Sequence, residues 1–459
     1  MDGKQLRTLI PELKVFLSRY LPLFGREENH EHATRFVQGL FDGSDRRNIE
    51  NIAEAISGGV PRTMQKFISQ GCWEDGQVLN ELRSHVGEVL GDEKGTVNVD
   101  ETGVAKKGTK SVGVKRQYSG TLGRVGNCQV SVFANYCSPK GHTFIDRRLF
   151  LPEEWANDQE RREEAGVPEA VVFRSKPELG LEMVQVADSE GLPFFWVGGD
   201  CVYGDSPTFV QGVRALGKWY VLDVSSEARV WLSEPERCKP KTSRSQRGGS
   251  EKPAKATTKP ITVREVAAQL PTSAFKRITV AEGSQGSIVY EYAEITVWFS
   301  EEGIPAQESE RLLIRRSCSQ EAEIKFHRSN APFKISLQRL AEQRSLRWTI
   351  EQDIQAAKGE CGLDEYETRG WVGWHHHTAL AILALLFLVL QQVRLKKNEP
   401  LTTVHELRNV LRRLIDLRTW DLPALEAWST WRTERNRVAK TSHQRRRRAE
   451  LRKRSRKRD

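Results

Sequence analysis

Residues 96–120 read TVNVDETGVAKKGTKSVGVKRQYSG, and this stretch predicts how the sheet of the protein begins. Residues 96–99 alternate polar and apolar side chains, which is the pattern of a half-buried strand, and Asp100 follows them directly. A second alternating run, residues 111–118, comes after a polar segment that contains glycine. We therefore expect two strands of one sheet, the first of which ends at a carboxylate.

Strands and helices alternate downstream of this stretch. Periodicity predicts strands at 129–136, 142–145, 193–197 and 219–224, with helices around 176–188 and 206–215. A run of strands followed by alternating helices and strands indicates a mixed α/β sheet with flanking helices. Residues 233–262 are rich in Lys, Pro, Ser, Thr and Gly, which is typical of a solvated linker. A second group of strands between 277 and 314 follows, and helices return from Leu337.

The N-terminal 94 residues are predicted to be helical. Residues 48–57 carry an apolar stripe of period 3.6, and two glycines then end the helix. Pro61 opens the next helix, a position that suits proline because its missing N–H needs no partner there. Two short helices about a turn fit either a DNA-reading helix-turn-helix or an ordinary αα-hairpin, and the sequence leaves both open.

Three carboxylates form the candidate chemical site. Asp100 and Asp200 each follow a predicted strand, and groups at the carboxyl ends of such strands line the cleft of α/β sheets. Glu351 lies in a predicted helix, where it shares one face with Arg347 and Lys358. Such oxygen ligands suit Mg²⁺, and two ions about 3.5–4 Å apart can activate an attacking hydroxyl on a phosphodiester. Each acid alone could instead cap a helix or form a surface ion pair.

The hairpin after Asp100 is basic throughout. Between Glu101 and Asp146 the chain has no acidic residue. The cations that we expect to track a phosphate backbone are Lys106, Lys107, Lys110, Lys115 and Arg116. A solvated basic hairpin with no ligand is the alternative interpretation.

The charge balance of the chain also points to a polyanion. The 459 residues include 71 Lys or Arg and 61 Asp or Glu, a net charge of +10. Residues 432–459 alone hold fourteen Lys or Arg against three acidic residues, so this segment accounts for the whole excess. Its composition predicts a disordered tail that clamps DNA without regard to sequence, with RNA binding or a localisation signal as alternatives.

Cysteine usage and hydropathy indicate a cytoplasmic protein. Seven widely spaced cysteines without a C-x-x-C pair argue against a disulfide scaffold or a zinc ribbon. The longest apolar run, residues 379–390, is shorter than the ~20 residues of a membrane helix. We expect it to be a buried core helix, and we expect no membrane partner.

Four ordered blocks connect these features to a known family. Residues 99–120 and 199–204 carry the two aspartates, residues 348–369 carry the glutamate, and residues 146–152 with Lys176-Pro-Glu178 stand between. Together they resemble DDE-type insertion-sequence transposases, most closely the family of insertion sequence 701. The resemblance covers residues 30–395.

The resemblance implies an RNase H-like mixed sheet with flanking helices, interrupted by a β-rich insertion and preceded by an N-terminal helical DNA-binding domain. It assigns Asp100, Asp200 and Glu351 as ligands of two Mg²⁺ ions, for which Mn²⁺ can substitute. A related family signature places Tyr, Arg, Glu and Lys at fixed spacing. Arg347, Glu351 and Lys358 match it, but Arg344 stands at the Tyr position.

The implied function is transposition by a cut-and-paste mechanism: metal-dependent cleavage at transposon ends, then strand transfer into target DNA. The implied partners are double-stranded DNA, both terminal inverted repeats and target, and a second copy in a homodimeric synaptic complex. The implied location is the bacterial cytoplasm, at the nucleoid. Two alternatives remain open, namely a catalytically silent, domesticated DNA-binding regulator and a nuclease that cleaves without joining.

The expected organisation has six parts. They are a helical DNA-binding domain at 1–94, the first part of the catalytic core at 95–232, a linker with the β-rich insertion at 233–335, closing helices with the catalytic Glu at 336–396, a helical region at 397–431 and the basic tail at 432–459.

Overall fold

The structure, a computed structural model, describes residues 3–43, 46–238, 255–283, 286–318, 323–396, 402–415, 417–419 and 421–455. Within these ranges, helices α1 to α16 span Gly3–Ser18, Glu27–Leu40, Ile49–Ala55, Pro61–Gln70, Asp75–Leu90, Glu153–Ala156, Gln159–Ala165, Lys176–Ser189, Cys201–Gly204, Pro207–Ala215, Val263–Gln269, Leu337–Leu346, Trp348–Cys361, Trp371–Leu395, Val404–Leu414 and Leu422–Ser455.

Within the same ranges, strands β1 to β15 span Thr96–Ala105, Lys115–Ser119, Arg124–Ser138, Gly141–Leu149, Trp196–Gly199, Trp219–Val224, Arg229–Trp231, Arg237–Cys238, Lys255–Ala256, Ile261–Thr262, Lys276–Gly283, Gly286–Glu301, Ile304–Pro305, Glu310–Ser317 and Ile324–Ser329. The predicted mixed α/β class with flanking helices is confirmed. Strand β1 does not end at Asp100, as the sequence suggested, but continues five residues further along its partner β3.

The central sheet is mixed, and β1 lies in its middle. Strand β1 pairs antiparallel with β3 on one side and parallel with β5 on the other, and β5 pairs parallel with β6. Strand β3 is long enough to pair with β2 near one end and with β4 near the other. The order β4-β3-β1-β5-β6 therefore forms the part of the sheet that carries the candidate site.

The β-rich segment after residue 233 extends this same sheet. Strand β15 pairs antiparallel with β6, and the order continues through β14, β12, β7 and β10. The predicted linker contains β8, β9 and β10, while residues 239–254 of it lie outside the described part of the chain. This segment is thus rich in strands, and it is continuous with the part of the sheet that carries Asp100.

Helix α14 is the centre of the helical layer. It is the one helix in the described ranges that is long and apolar enough to cross a membrane, but 78% of its most apolar window is buried inside the protein. Residues from Ala379 to Leu388 are fully buried against α2, α4, α5, α13, α15 and β4. The prediction of a buried core helix is confirmed.

The N-terminal helices share their core with α14. The predicted helix pair is present as α3 and α4, where Asn48 caps α3 by accepting the Asn51 amide at 2.9 Å and Pro61 opens α4. The ring of Phe16 in α1 lies 5.3 Å from that of Phe387, and Phe36 in α2 packs edge-on against His377. Helix α4 also packs against α14, and this contact determines which face of α4 is buried and which is exposed.

The predicted disordered tail is wrong for residues 432–455, because they continue helix α16. Arg, Lys, Ala, Leu, Gln and Glu dominate this segment, and all are strong helix formers. The helix is also tied to the body, since Arg432 pairs with Glu50 at 2.6 Å and Glu54 at 2.9 Å, and Arg435 pairs with Glu50 at 3.1 Å. Charge composition alone predicts repulsion and misses these partners on α3.

Candidate active site

The sheet register brings Asp100 and Asp200 to neighbouring positions. Val99 of β1 pairs with Gly199 of β5, and each aspartate is the next residue of its strand. Asp200 also caps the short helix α9 by accepting the Val202 amide at 2.9 Å. The Asp100 carboxylate accepts the Glu101 amide at 2.7 Å. The two carboxylates therefore lie at neighbouring positions where the parallel strands β1 and β5 pair.

Arg347 brings Glu351 to the same place. It lies at the junction of α12 and α13, and Glu351 is one turn further along α13. The Arg347 guanidinium contacts Asp100 at 3.1 Å with one terminal nitrogen and binds Glu351 with the other. Helix α13 is thus held against β1 by ion pairs of Arg347.

The two aspartates repel each other in a largely buried setting. Burial and the charge of Asp200 raise the pKa of Asp100 to about 7, although Arg347 opposes the shift. Burial and the charge of Glu101 raise the pKa of Asp200 to about 6. A single guanidinium does not compensate this much negative charge, so the pair favours a cation.

The donor set fits a hard divalent cation, with one rearrangement. As the side chains stand, no three His, Cys, Asp or Glu residues in the described part of the chain are grouped to hold a metal ion. The Arg347 guanidinium lies between Asp100 and Glu351 and forms an ion pair with each. Asp100 and Asp200 offer the oxygen ligands that Mg²⁺ prefers, and Glu351 can join them when Arg347 turns aside.

A fourth carboxylate, Asp223, was missed by the sequence analysis. It lies near the end of β6, beside β5, and accepts hydrogen bonds from His327 at 2.8 Å and Arg344 at 2.9 Å. Its nearer oxygen is 3.7 Å from the Nε atom of Arg347. The signal that selected Asp100 and Asp200, an acid at the end of an apolar strand, is also present in residues 219–224 and would have found it.

The predicted phosphate-binding cations of the hairpin do not all face solvent. Burial lowers the pKa of Lys106 to about 8, and its ammonium lies 3.6 Å from the centre of the Tyr366 ring. Lys110 pairs with Glu164, and Lys115 pairs with Glu154 at 2.8 Å. Lys107 and Arg116 are exposed.

Lys358, the last residue of the signature, is directed at the strand that carries Asp100. Its ammonium donates to the Thr102 hydroxyl at 2.8 Å, and it lies near Thr121 at 3.3 Å. Both are neutral groups, and burial lowers the pKa of the ammonium. The charge of Asp364 opposes this lowering of the pKa.

A buried polar network fastens α13 to the sheet independently of Arg347. Asn135 of β3 donates to the Thr349 hydroxyl at 3.0 Å and to Asp353 at 2.7 Å, and it accepts from Asn98 of β1 at 3.0 Å. His142 of β4 contacts the other oxygen of Asp353 at 2.8 Å. These bonds set the height of α13 on the sheet and with it the position of Glu351.

Comparison with known proteins identifies the family of the chain. The model of the family described as "DDE superfamily endonuclease" matches residues 19–287, more than half of the chain. The chain belongs to the DDE superfamily endonucleases. The matched range contains Asp100 and Asp200 but ends before Glu351.

One curated relative of this DDE endonuclease is a probable transposase for insertion sequence element IS701 from Microchaete diplosiphon. It is 28% identical over 234 residues, which cover 49% of this chain and 58% of the relative. The match therefore spans well under two thirds of the relative's length.

Two solved structures resemble the DDE endonuclease weakly. A piggyBac transposase synaptic complex with hairpin DNA has a TM-score of 0.39 at 10% identity, over 90% of this chain and 80% of the other. The NurA nuclease of Sulfolobus solfataricus has a TM-score of 0.24 at 11% identity, over 58% of this chain and 79% of the other. Both scores are too low to support conclusions about the site.

We predict that Mg²⁺ raises the thermal stability of this DDE endonuclease through the aspartate pair. A cation that binds only the folded protein stabilises it by about 2.7 kcal/mol at 100 times its Kd. Differential scanning fluorimetry should show an upward shift of the melting temperature with Mg²⁺, lost in Asp200→Asn. Glu169→Gln, which changes an exposed loop carboxylate, is the matched control and should keep the shift. An equal shift in Asp200→Asn would place the cation elsewhere.

We also predict a pH-dependent contribution of His142 to stability. Burial lowers the pKa of His142, but the charge and hydrogen bond of Asp353 outweigh burial, so the net pKa is raised. Protonated His142 therefore stabilises the folded state below its unfolded pKa of about 6.5, and this contribution is lost as pH rises through the folded pKa. Urea unfolding should show that His142→Gln costs more stability at pH 6 than at pH 9. A cost that does not change with pH would contradict the charged pair.

Proposed function

We propose that the chain is a DDE transposase that cleaves DNA at transposon ends in a metal-dependent reaction and joins the freed 3′-hydroxyl to target DNA. The observation that carries the proposal is that Asp100, Asp200 and Glu351 lie together around Arg347, beside the central strand β1. Family membership supports nuclease chemistry, and the similarity to a probable IS701 transposase supports joining as well as cutting.

The strand order supports an RNase H-like core. In β4-β3-β1-β5-β6 the first three strands in space are antiparallel, and β1, β5 and β6 run parallel. This arrangement places Asp100 on the central strand, Asp200 after the adjoining strand and Glu351 on a helix that covers the sheet. The domain divisions given above remain part of the proposal, with the N-terminal helices as readers of the terminal repeats.

We propose that Asp100, Asp200 and Glu351 hold Mg²⁺, or Mn²⁺ in its place. When bound, the cations supply a lowered pKa for the attacking hydroxyl and charge stabilisation for the leaving oxygen. The protein contributes the rest: the parallel strands fix the two aspartates, α13 brings Glu351, and Arg347 and Lys358 bind phosphate oxygens. Arg347 is suited to this because its planar guanidinium can donate hydrogen bonds to a carboxylate or to a phosphate in the same geometry.

DNA would lie across the exposed cations beside this site. Lys107 and Arg116 are exposed; Lys107 follows the strand that carries Asp100, and Arg116 lies on β2, which pairs with β3. The exposed face of α4 carries Arg62, Gln65 and Lys66, side chains that can reach phosphates and base edges. A second copy in a synaptic complex, and a cytoplasmic location at the nucleoid, belong to the same proposal.

We expect purified protein to nick its flanking genomic DNA only when Mg²⁺ or Mn²⁺ is present. Asp100→Asn, Asp200→Asn and Glu351→Gln should each lower the nicking rate by at least 10²-fold, because each removes a negatively charged ligand oxygen. Sequencing of the products locates the nick and reveals any joined strands.

Glu169→Gln is the matched control for the nicking assay and should retain full activity. Circular dichroism of each variant excludes unfolding as the cause of a loss. Cleavage that survives all three site changes would refute the assignment. A footprint without any metal-dependent product would favour the silent DNA-binding regulator, and nicks without joined strands would favour a nuclease.

We predict that the basic end of α16 contributes nonspecific affinity only. Deleting residues 438–459 removes eleven Lys or Arg but leaves Arg432 and Arg435 paired with α3. The affinity for random duplex should fall, and the slope of log affinity against log salt should become shallower, because fewer counterions are released. The position of nicks on flanking DNA should stay unchanged. A shifted nick would show that this segment takes part in choosing the site.

A further inference from the structure

The Arg347 guanidinium has three carboxylates around it, and each faces a different nitrogen. One terminal nitrogen contacts Asp100 at 3.1 Å, the other binds Glu351, and Nε lies 3.7 Å from Asp223. The side chain is 13% exposed. Two of these carboxylates belong to the proposed cation site. Asp223 lies beside that site, because Leu222 of β6 pairs with Gly199 of β5, and its charge contributes to the raised pKa of Asp200.

Asp223 is held rigidly by two other elements. Arg344 of α12 binds it in a two-pronged contact, Nε to one oxygen at 3.2 Å and Nη2 to the other at 2.9 Å. His327 of β15, which pairs with Asp223 across the sheet, donates from Nδ1 at 2.8 Å. Burial alone would raise the pKa of Asp223, but His327, Arg344 and Arg347 together hold it below its usual range. The carboxylate is therefore ionised near pH 7.

Asp223 is the carboxylate that both Arg344 and Arg347 contact. Burial lowers the pKa of His327 to about 4, so the imidazole is neutral near pH 7 and donates a hydrogen bond without adding charge. Arg315, also cationic, faces the same cluster, where its charge acts on Arg344 and His327. Loss of the Asp223 charge would leave two buried guanidinium groups with less compensation.

The position of Arg344 also explains the departure from the family signature. Arg344 stands where that signature has Tyr, and only 8% of it is exposed. Its guanidinium turns inward to Asp223, one turn of helix away from Arg347. It is therefore unable to reach a DNA end while this pair is intact.

We propose that Asp223 and Arg344 form a positioning pair for Arg347. Asp223 holds the Nε side of the guanidinium, so that both terminal nitrogens are presented to the cleft, where they exchange Glu351 and Asp100 for a phosphate oxygen. This inference rests on the proposed function, because it takes the ligand of Arg347 to be a DNA phosphate. In this proposal Asp223 acts through Arg347.

A double-mutant cycle tests the pair. The four proteins are wild type, Asp223→Asn, Arg347→Gln and the double variant, each bound to a fluorescent duplex of flanking DNA in EDTA over a salt series. Loss of one phosphate contact makes the slope of log affinity against log salt shallower by about 0.9. Both single variants should show this change, and the double variant should show no more than one such change.

Two results would overturn the inference. One is an unchanged slope in Asp223→Asn, which would mean that Arg347 needs no support. The other is a double variant whose slope changes by the sum of the single changes, which would mean that Asp223 acts independently of Arg347. Nicking with Mg²⁺ is measured on the same proteins. If the four proteins show the expected slopes but wild type never nicks DNA, the proposed function is refuted, whereas the positioning pair is still supported.

A second pair of variants guards against unfolding. Asp223→Asn leaves the buried charge of Arg344 without its carboxylate partner, which can destabilise the fold. Asp223→Asn combined with Arg344→Gln removes both charges and should recover thermal stability without recovering the wild-type salt slope. Recovery of both would show that Asp223 is structural only and would also overturn the inference.

Discussion

The repulsion between Asp100 and Asp200 is the constraint around which the rest of the site is built. Pairing of parallel β1 with β5 forces the two carboxylates together, and burial denies them the solvent that would screen them. Arg347 relieves part of this repulsion and, by also binding Glu351, holds helix α13 on the sheet. The negative charge of the two aspartates raises the free energy of the site without a cation, and the same charge favours binding of a cation.

The polar contacts behind the cleft explain how this arrangement persists. Asn98 and Asn135 on the sheet bind Thr349 and Asp353 on α13, so the helix stays in place even when Arg347 changes partner. Asp223 and Arg344 do the same for the guanidinium from the other side. One set of contacts positions Glu351 and the other positions Arg347.

Local patterns were sufficient to predict the elements that carry the site, because their signals are contained in short stretches. Strand periodicity located β1 and β5 with their aspartates, and the i, i+4 spacing placed Arg347 beside Glu351 on one helix face. Contacts between distant segments could not be predicted in this way. Glu154 and Glu164, which neutralise two hairpin lysines, and Glu50, which holds α16, are examples. Arg344 shows the same limit, since its partner Asp223 is 121 residues away in the chain.

We propose that Asp100, Asp200 and Glu351 bind divalent cations when Arg347 releases them. The decisive measurement is a crystal structure with Mn²⁺ and flanking DNA, with anomalous scattering recorded at the manganese edge. We expect manganese peaks bound by Asp100 and Asp200 with Glu351 joined to them, and Arg347 turned to a phosphate oxygen while its Nε remains beside Asp223. Manganese bound elsewhere, with Arg347 still bridging Asp100 and Glu351, would contradict it.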